Sequence, residues 1–409
     1  MKILMLAPGR SIHSQRPLKW LLESGHDVTF VDLDNPCAGP RERYQFIPRP
    51  HAKWTRYSGT LLSPKLADEF SNWTVAVQLR RLWKRIRPDV VHVHWVDRRA
   101  YHCVKAGLKP LVLSVWGTDI NRLFSADADP RYRRMIGHAL AGADRVIVDA
   151  PDMFEKCSLL AGDHVHMDML PLGVDTKAFT PGYQEQGIEW RRRLNIPPAA
   201  AVLLSIRAWE ARYGHQIVLE AFQRALGRFA RPGVLVFKTY NPSSVQEGVT
   251  YEGEMRSLAE QLGIADSVRW MHEVPHDRLP ELYALADMIV NYPSMDAFPV
   301  TFLEAAACER PVLSVRLPAY KGTFAEDYFR MVEPGSVDDL ADAMVELVNE
   351  EPERRTRRLS RARQVVRDEY DERATTRRLL DIYQGLRSRR ISGYDNLDRG
   401  VKWRIANSA

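Results

Sequence analysis

Between Val202 and Val315 one unit recurs: a short apolar run, a longer stretch with helical spacing, then another apolar run. Val202–Ile206, Val234–Phe237, Val268–Met271, Met288–Asn291 and Val312–Val315 read as strands. The runs are short and mostly apolar. Ile217–Leu226, Glu252–Leu262, Leu279–Leu285 and Val300–Ala307 between them read as helices. Such strands alternating with helices leave one architecture: a doubly wound parallel α/β sheet with helices on both faces. The N-terminal half opens in the same way. Ile3–Leu6 is a strand, Pro8-Gly9 a turn, Pro17–Ser24 a helix ending at Gly25, and Val28–Val31 a strand. A helix at Leu79–Ile86 and strands at Val90–Val93, Leu111–Val115 and Arg145–Val148 continue it. Residues 34–70, rich in Pro, Arg and aromatics, have no clear period and read as an irregular excursion.

A chain of 409 residues is too long for one such core and suits two. The expected division is residues 1–181, residues 182–372, and a C-terminal helix and tail, 373–409, returning to the first domain. Helix Val337–Val348 follows the last strand, and a long helical pattern without strands runs from about Glu353 to Arg390. Within it Leu379, Leu380, Ile382, Tyr383 and Leu386 form one apolar face, suited to docking on the first domain.

The net charge of +6 is unevenly placed. From Glu353 onward 16 Lys/Arg face 8 Asp/Glu, a surplus of 8, so the rest of the chain is near balance. Such a segment can meet an anionic membrane surface or lie as a solvated helix face. No nucleic-acid-binding motif accompanies it, and nucleic acid is not an expected partner. Cys37, Cys103, Cys157 and Cys308 are scattered, which suggests neither a disulfide framework nor a zinc site. The N-terminal apolar run is too short for a signal-peptide core, and no run approaches the roughly 18 apolar residues of a spanning helix. The expectation is a cytoplasmic protein, touching the inner face of the membrane at most.

Two constellations carry chemistry. In Asp296-Ala-Phe-Pro-Val-Thr-Phe-Leu-Glu304, Pro299 suits a first helical turn, Asp296 falls in the loop before it and Glu304 just over one turn inside. Loop carboxylate, free helix N–H groups and helix carboxylate together can hold a ligand rich in hydroxyls and phosphate. Arg207 ends the strand Val202–Ile206 and Arg212 follows five residues later. Ligands bind at the carboxyl ends of parallel strands, and paired guanidinium groups there can clamp a diphosphate.

With these motifs the chain resembles a retaining, group 1 glycosyltransferase (glycosyltransferase family 4) of the GT-B fold. The family's two carboxylates match Asp296 and Glu304, and its diphosphate-binding pair matches Arg207 and Arg212. Pro171-Leu-Gly-Val-Asp175 with Phe179-Thr-Pro181 matches the inter-domain signature. Leu282-Tyr283-Ala-Leu-Ala-Asp287 resembles the helix leading to the donor site, and Pro88–His94 and Gly117-Thr-Asp119 match motifs facing the acceptor. The resemblance implies two Rossmann-like domains facing across a cleft. It implies a hexosyltransferase-type enzyme that moves a sugar from a nucleoside-diphosphate sugar to a saccharide, lipid-linked or small-molecule acceptor, in cell-surface polysaccharide or glycolipid biosynthesis. The nucleotide sugar is a co-substrate, and no cofactor or metal is implied. Glu304 would hold the donor ribose, Asp296 the donor sugar, and Arg207 and Arg212 the departing diphosphate. Phe298, Pro299, Val300 and Gly9 would line the donor site; His13, His94, Trp95, Trp116 and Asp119 would face the acceptor.

The chain departs from the pattern at several points. The first carboxylate is Asp rather than Glu, Arg212 replaces Lys, and Trp116 stands where the family often has His. The N-terminal double-glycine loop is only Pro8-Gly9. A binding protein of the same fold, or a related sugar-phosphate synthase, remains an alternative; a pyridoxal-dependent phosphorylase would have only Lys238 or Lys321 to use in the second domain. His92 and His94 share a strand face, but no third ligand suggests a metal, and Asp32-Leu-Asp34 and Asp127-Ala-Asp129 read as chance pairs.

Overall fold

The computed structural model describes residues 1–9, 11–33, 44–46, 64–238, 245–272 and 274–392. The first unit runs β1 (Lys2–Leu6), α1 (Ile12–Glu23), β2 (Asp27–Asp32), β3 (Tyr44–Phe46), α2 (Pro64–Ile86), β4 (Val90–His94), α3 (Arg98–Lys105), β5 (Leu111–Ser114), α4 (Thr118–Asn121), α5 (Pro130–Ala141), β6 (Arg145–Val148), α6 (Asp152–Ala161) and β7 (Met167–Met169). Its seven strands lie in the order β3-β2-β1-β4-β5-β6-β7 and pair in parallel. The second unit runs α7 (Gln184–Arg193), β8 (Ala201–Ile206), α8 (His215–Leu226), β9 (Gly233–Lys238), α9 (Val245–Gln261), β10 (Val268–Met271), α10 (Leu279–Leu285), β11 (Met288–Asn291), α11 (Val300–Ala307), β12 (Val312–Val315), α12 (Phe324–Tyr328), β13 (Arg330–Val332) and α13 (Val337–Val348). Its six strands, also parallel, lie in the order β10-β9-β8-β11-β12-β13. Helices α14 (Pro352–Glu369) and α15 (Glu372–Ser392) follow. This is the GT-B arrangement. Each sheet reverses its strand order beside its first strand, between β1 and β4 and between β8 and β11, where an open α/β sheet places its ligand crevice.

The two faces of β1 show how the first sheet is covered. Leu4 and Leu6 pack with Val75 and Leu79 of α2. Ile3 and Met5, on the other face, pack with Leu379, Tyr383 and Leu386 of α15. The last helix thus crosses back and seals the first sheet. Each such buried side chain contributes about 1.5–3 kcal/mol. Where it crosses, two chain passages run side by side. The Val174 N–H donates to the Tyr370 carbonyl (2.9 Å) and the Glu372 N–H to the Val174 carbonyl (3.0 Å). Gly173 permits this approach, since a Cβ there would lie 2.5 Å from the Glu372 Cα.

Three local expectations change. Helix α1 starts at Ile12, capped by the Ser11 side chain, and carries Pro17 inside it. The missing N–H removes one intrahelical bond without ending the helix. The window 34–70 is not wholly irregular: Tyr44–Phe46 pairs with β2 at the sheet edge, and α2 begins at Pro64 rather than Leu79. Residues 34–43 and 47–63 lie outside the described residues. The C-terminal helical pattern is broken at Tyr370-Asp371, where the chain turns to run beside Val174 and the Tyr370 ring lies near Phe298 and Phe324.

Candidate active site

The carboxyl ends of both sheets face one cleft. Residues just past β1, β4, β5 and β6 on one side, and past β8, β10 and β11 with the last residue of β9 on the other, line a cavity of about 730 Å³. Among them are His13, Arg16, Trp95, Trp116, Thr118 and Asp149 from the N-terminal unit. Arg207, Tyr213, Lys238, His276, Asp296, Phe298, Pro299, Val300, Thr301 and Glu304 come from the C-terminal unit.

Glu304, on the inward face of α11, is buried. Its carboxylate accepts from the Tyr283 hydroxyl at 2.8 Å and from Arg16 Nη2 at 3.2 Å, and lies 3.3 Å from His276 Nε2. Burial pushes its pKa up. The hydrogen bond to His276, the Arg16 charge and Tyr283 outweigh that and hold the carboxyl below its ordinary value. Arg16 belongs to α1, so this ion pair spans the two units.

Asp296 accepts from Arg207 Nη2 at 2.8 Å and from the Tyr320 hydroxyl at 3.1 Å. Burial of Arg207 works against its charge, but Asp296, Tyr213 and Tyr320 more than offset this and keep the guanidinium charged. Its Cζ lies 4.1 Å from the Tyr213 ring centroid. Lys238, at the end of β9, is buried in the same wall. Arg212 is placed differently. It pairs with Glu210 at 2.8 Å, reaches Thr118 Oγ1 at 3.5 Å, and is not part of the cavity wall. The two arginines therefore do not form a symmetrical clamp; among the described residues Arg207 and Lys238 are the Arg and Lys side chains on the C-terminal wall.

On the N-terminal side, His13 packs edge-on to Trp116 at 5.5 Å, and Trp116 to Trp95 at 5.7 Å. Burial, with the charge of Arg16, lowers the His13 pKa to about 4. Asp149 also faces the cavity, and burial together with Asp119 pushes its carboxyl well up. Asp119 does not line the cavity. It is fully buried and accepts from the backbone N–H groups of Val96 (2.7 Å), Trp116 (3.0 Å) and Ile120 (3.2 Å). Burial lifts it to about 7 against those bonds. Its observed role is to fasten the loops after β4 and β5. Gly9 likewise lies off the cavity wall, its N–H donating to Asp32 at 2.8 Å. His94 is buried behind Trp116 in a separate small cavity, with its pKa held near 3 by burial. His92 hydrogen-bonds Tyr383 and Ser114, and among the described residues no group of three His, Cys, Asp or Glu side chains is placed to hold a metal ion.

The two walls touch at the edge of the cleft. Asn121 Nδ2 donates to the Asp296 carbonyl at 3.1 Å. Gly117, at φ +85°, sits so close to Ala297 that a Cβ would fall 2.2 Å from that residue's Cβ. Sequence reasoning missed Arg16, Lys238, Asp149, His276 and the role of Tyr283. Arg16 is three residues after His13, hence on the same helix face once α1 starts at Ile12. Lys238 and Asp149 stand at or just past strand ends, where the strand-end rule could have found them. His276 lies in a short turn without a sequence signal.

Known proteins match both halves in order. Residues 2–150 match the family model described as glycosyl transferase 4-like, and residues 187–365 that described as glycosyl transferases group 1. A D-inositol 3-phosphate glycosyltransferase of Corynebacterium urealyticum is 26% identical over 215 residues, 52% of this chain and 50% of that protein. The chain spans about half the length of the curated relatives it matches. The sucrose-phosphate synthase of Thermosynechococcus elongatus superposes with a TM-score of 0.77 at 15% identity, over 95% of this chain and all of that one. Anabaena Alr3699/HepE in complex with UDP-glucose superposes with a TM-score of 0.72 at 14% identity, over 94% of this chain and all of that one. Two family models matched in sequence order, on two parallel sheets that meet at one cleft, place the chain in the group 1 glycosyltransferases of the GT-B fold.

Proposed function

We propose that this protein is a retaining glycosyltransferase that moves a sugar from a nucleoside-diphosphate sugar to a hydroxyl of a saccharide, lipid-linked or small-molecule acceptor. The observation that carries the reading is the C-terminal wall: a buried, ionised Glu304 and a charged Arg207 braced by Asp296, on one cavity. Glu304 is suited to accept hydrogen bonds from two ribose hydroxyls. Asp296 meets hydroxyls of the donor sugar. The bond that breaks joins the anomeric carbon to the diphosphate oxygen, and negative charge gathers on that oxygen as it departs. Arg207 and Lys238 are cations already in place where that charge develops, so little reorganisation is needed at the moment of reaction. Fixed protein cations in that position let the reaction proceed without a divalent metal. The relatives bear on the donor as well: one solved neighbour holds UDP-glucose.

The test is to incubate the protein with UDP-, GDP- and ADP-sugars, with and without EDTA, and follow nucleoside diphosphate release and the anomeric configuration of the product. Release that survives EDTA, with configuration retained, supports the reading. Nucleotide binding without turnover on any acceptor would make the protein a binding member of the fold instead.

A further inference from the structure

We propose that the N-terminal wall of the cleft receives an uncharged sugar ring of the acceptor, held in the corner between Trp95 and Trp116. The proposal rests on the glycosyltransferase reading above and narrows its acceptor class. The two indoles meet at 81° with centroids 5.7 Å apart, and both line the cavity. A corner of this kind offers apolar faces to a pyranose, whose C–H groups are attracted to the electron-rich ring face.

The backbone is built to present it. Trp95 adopts φ +67°, a conformation that a bulky side chain rarely takes and that persists only where its surroundings enforce it. Here the Trp95 N–H donates to the Ser114 carbonyl (3.0 Å). One Asp119 carboxylate then takes the N–H of Val96, next to Trp95, and the N–H of Trp116 itself. Asp119 is thus a positioning residue for both indoles.

The polar atoms suit hydroxyl groups. His13 Nδ1, Trp116 Nε1 and Asp149 Oδ1 are buried without a hydrogen-bond partner, although such atoms are nearly always paired in folded proteins. All three belong to residues on this wall and are shielded from solvent, so sugar hydroxyls, which both donate and accept, would reach them only with a local shift of these side chains. The charges disfavour a phosphate ester there. His13 is uncharged at neutral pH and Arg16 is engaged by Glu304, so among the described residues this wall offers a phosphate no unpaired cation. Phosphate recognition calls for guanidinium or ammonium groups. Among the described residues of this wall Arg16 is the one cation, and it points its Nη2 at Glu304.

The experiment titrates the full-length protein, saturated with the nucleoside diphosphate that binds it best, with methyl glucoside, methyl mannoside and methyl galactoside. Glucose 6-phosphate, mannose 6-phosphate and D-myo-inositol 3-phosphate form the second panel. Ligand-observed NMR and tryptophan emission report binding. At least one neutral glycoside should bind ten-fold or more tightly than every phosphate ester. Trp116→Ala and Trp95→Ala should each weaken it about ten-fold, Trp116→Phe should retain most of it, and nucleotide affinity should stay unchanged in all three. Preference for a phosphate ester, no binding of any neutral glycoside, or indifference to both alanine changes overturns the proposal. Loss of nucleotide binding by the wild type would instead count against the glycosyltransferase reading.

Discussion

The two walls of the cleft are made from the same strand-end positions of the same kind of sheet, yet they differ in electrical character. The C-terminal wall sets charges in opposition: Arg207 against Asp296, and Glu304 against an arginine borrowed from the other unit. The N-terminal wall removes charge by burial. His13 is held neutral, and the Asp149 carboxyl is pushed up in pKa. Opposed charges, once partnered, stay ionised in a dry cleft and can answer the charge of a nucleotide. Buried, neutralised groups can only exchange hydrogen bonds. A division between a charged donor wall and a neutral acceptor wall follows, and each prediction below is a way to test that division.

The largest effect is expected at Arg207. Arg207→Ala should depress turnover by about 2.7–4 kcal/mol, the scale for removing one preorganised electrostatic donor. Substrate binding should change far less, as measured by the separate effects on kcat and KM. A raised KM with unchanged kcat would mean that Arg207 binds donor uniformly and has no part in stabilising the departing charge. Next comes Glu304. Glu304→Gln should weaken nucleotide binding by about 1.5–3 kcal/mol, typical of charged hydrogen bonds. Arg16→Ala should cost only about 1 kcal/mol, because Tyr283 and His276 still hold the carboxylate. Calorimetric titration with nucleoside diphosphate separates the two. Equal losses would show that the N-terminal unit contributes to nucleotide recognition as much as Glu304 does.

The charged wall was the more legible from sequence. Asp296 and Glu304 flank a helix start marked by Pro299, and Arg207 ends an obvious strand. Local spacing fixes such residues, whatever the rest of the chain does. The neutral wall depends on tertiary placement. Asp119 looks like an acceptor-facing carboxylate until its three backbone donors are seen. Arg16 is hidden by Pro17, which invites a helix start five residues too late. Most strands of both sheets stand out because they are mostly apolar, but the short edge strands β3, β7 and β13, each with a polar residue in three, do not. Helix α5 does not, because arginines and small residues such as Gly137 and Ala139 blur its period. The break at Tyr370-Asp371 follows from pairing with Val174, nearly two hundred residues away, which no local signal encodes.

A smaller effect concerns the outer surface. Among the described residues no helix is long and apolar enough to cross a membrane. Arg377 and Arg378 are exposed on α15, whose other side seals the first sheet. If that helix meets anionic lipid, each arginine near the surface should add about 1 kcal/mol, and salt should weaken the attraction. Sedimentation with anionic but not neutral vesicles, lost on Arg377→Glu with Arg378→Glu, is the expected result. No sedimentation at low salt would confine the basic helix to a solvated role and leave the cleft untouched.

The smallest expected effect is the most direct test of neutrality. A histidine in water titrates near pH 6.5, and an acceptor site that used its charge would change affinity across that value. His13 is held to about 4, so it stays uncharged from pH 8 down to about 5. Because its folded value lies below the unfolded one, its contribution to stability is complete above about pH 6.5 and fades as the pH falls toward 4. Acceptor KM should therefore be flat between pH 5.5 and 8, while the melting temperature begins to fall below about 6.5. Turnover is free to vary over the same range through other groups, so the diagnostic quantity is KM for acceptor at saturating donor. An inflection in that KM near 6.5 that disappears in His13→Gln would show a protonated imidazole at the acceptor. The N-terminal wall would then belong with the charged one, and a phosphorylated acceptor would regain its place.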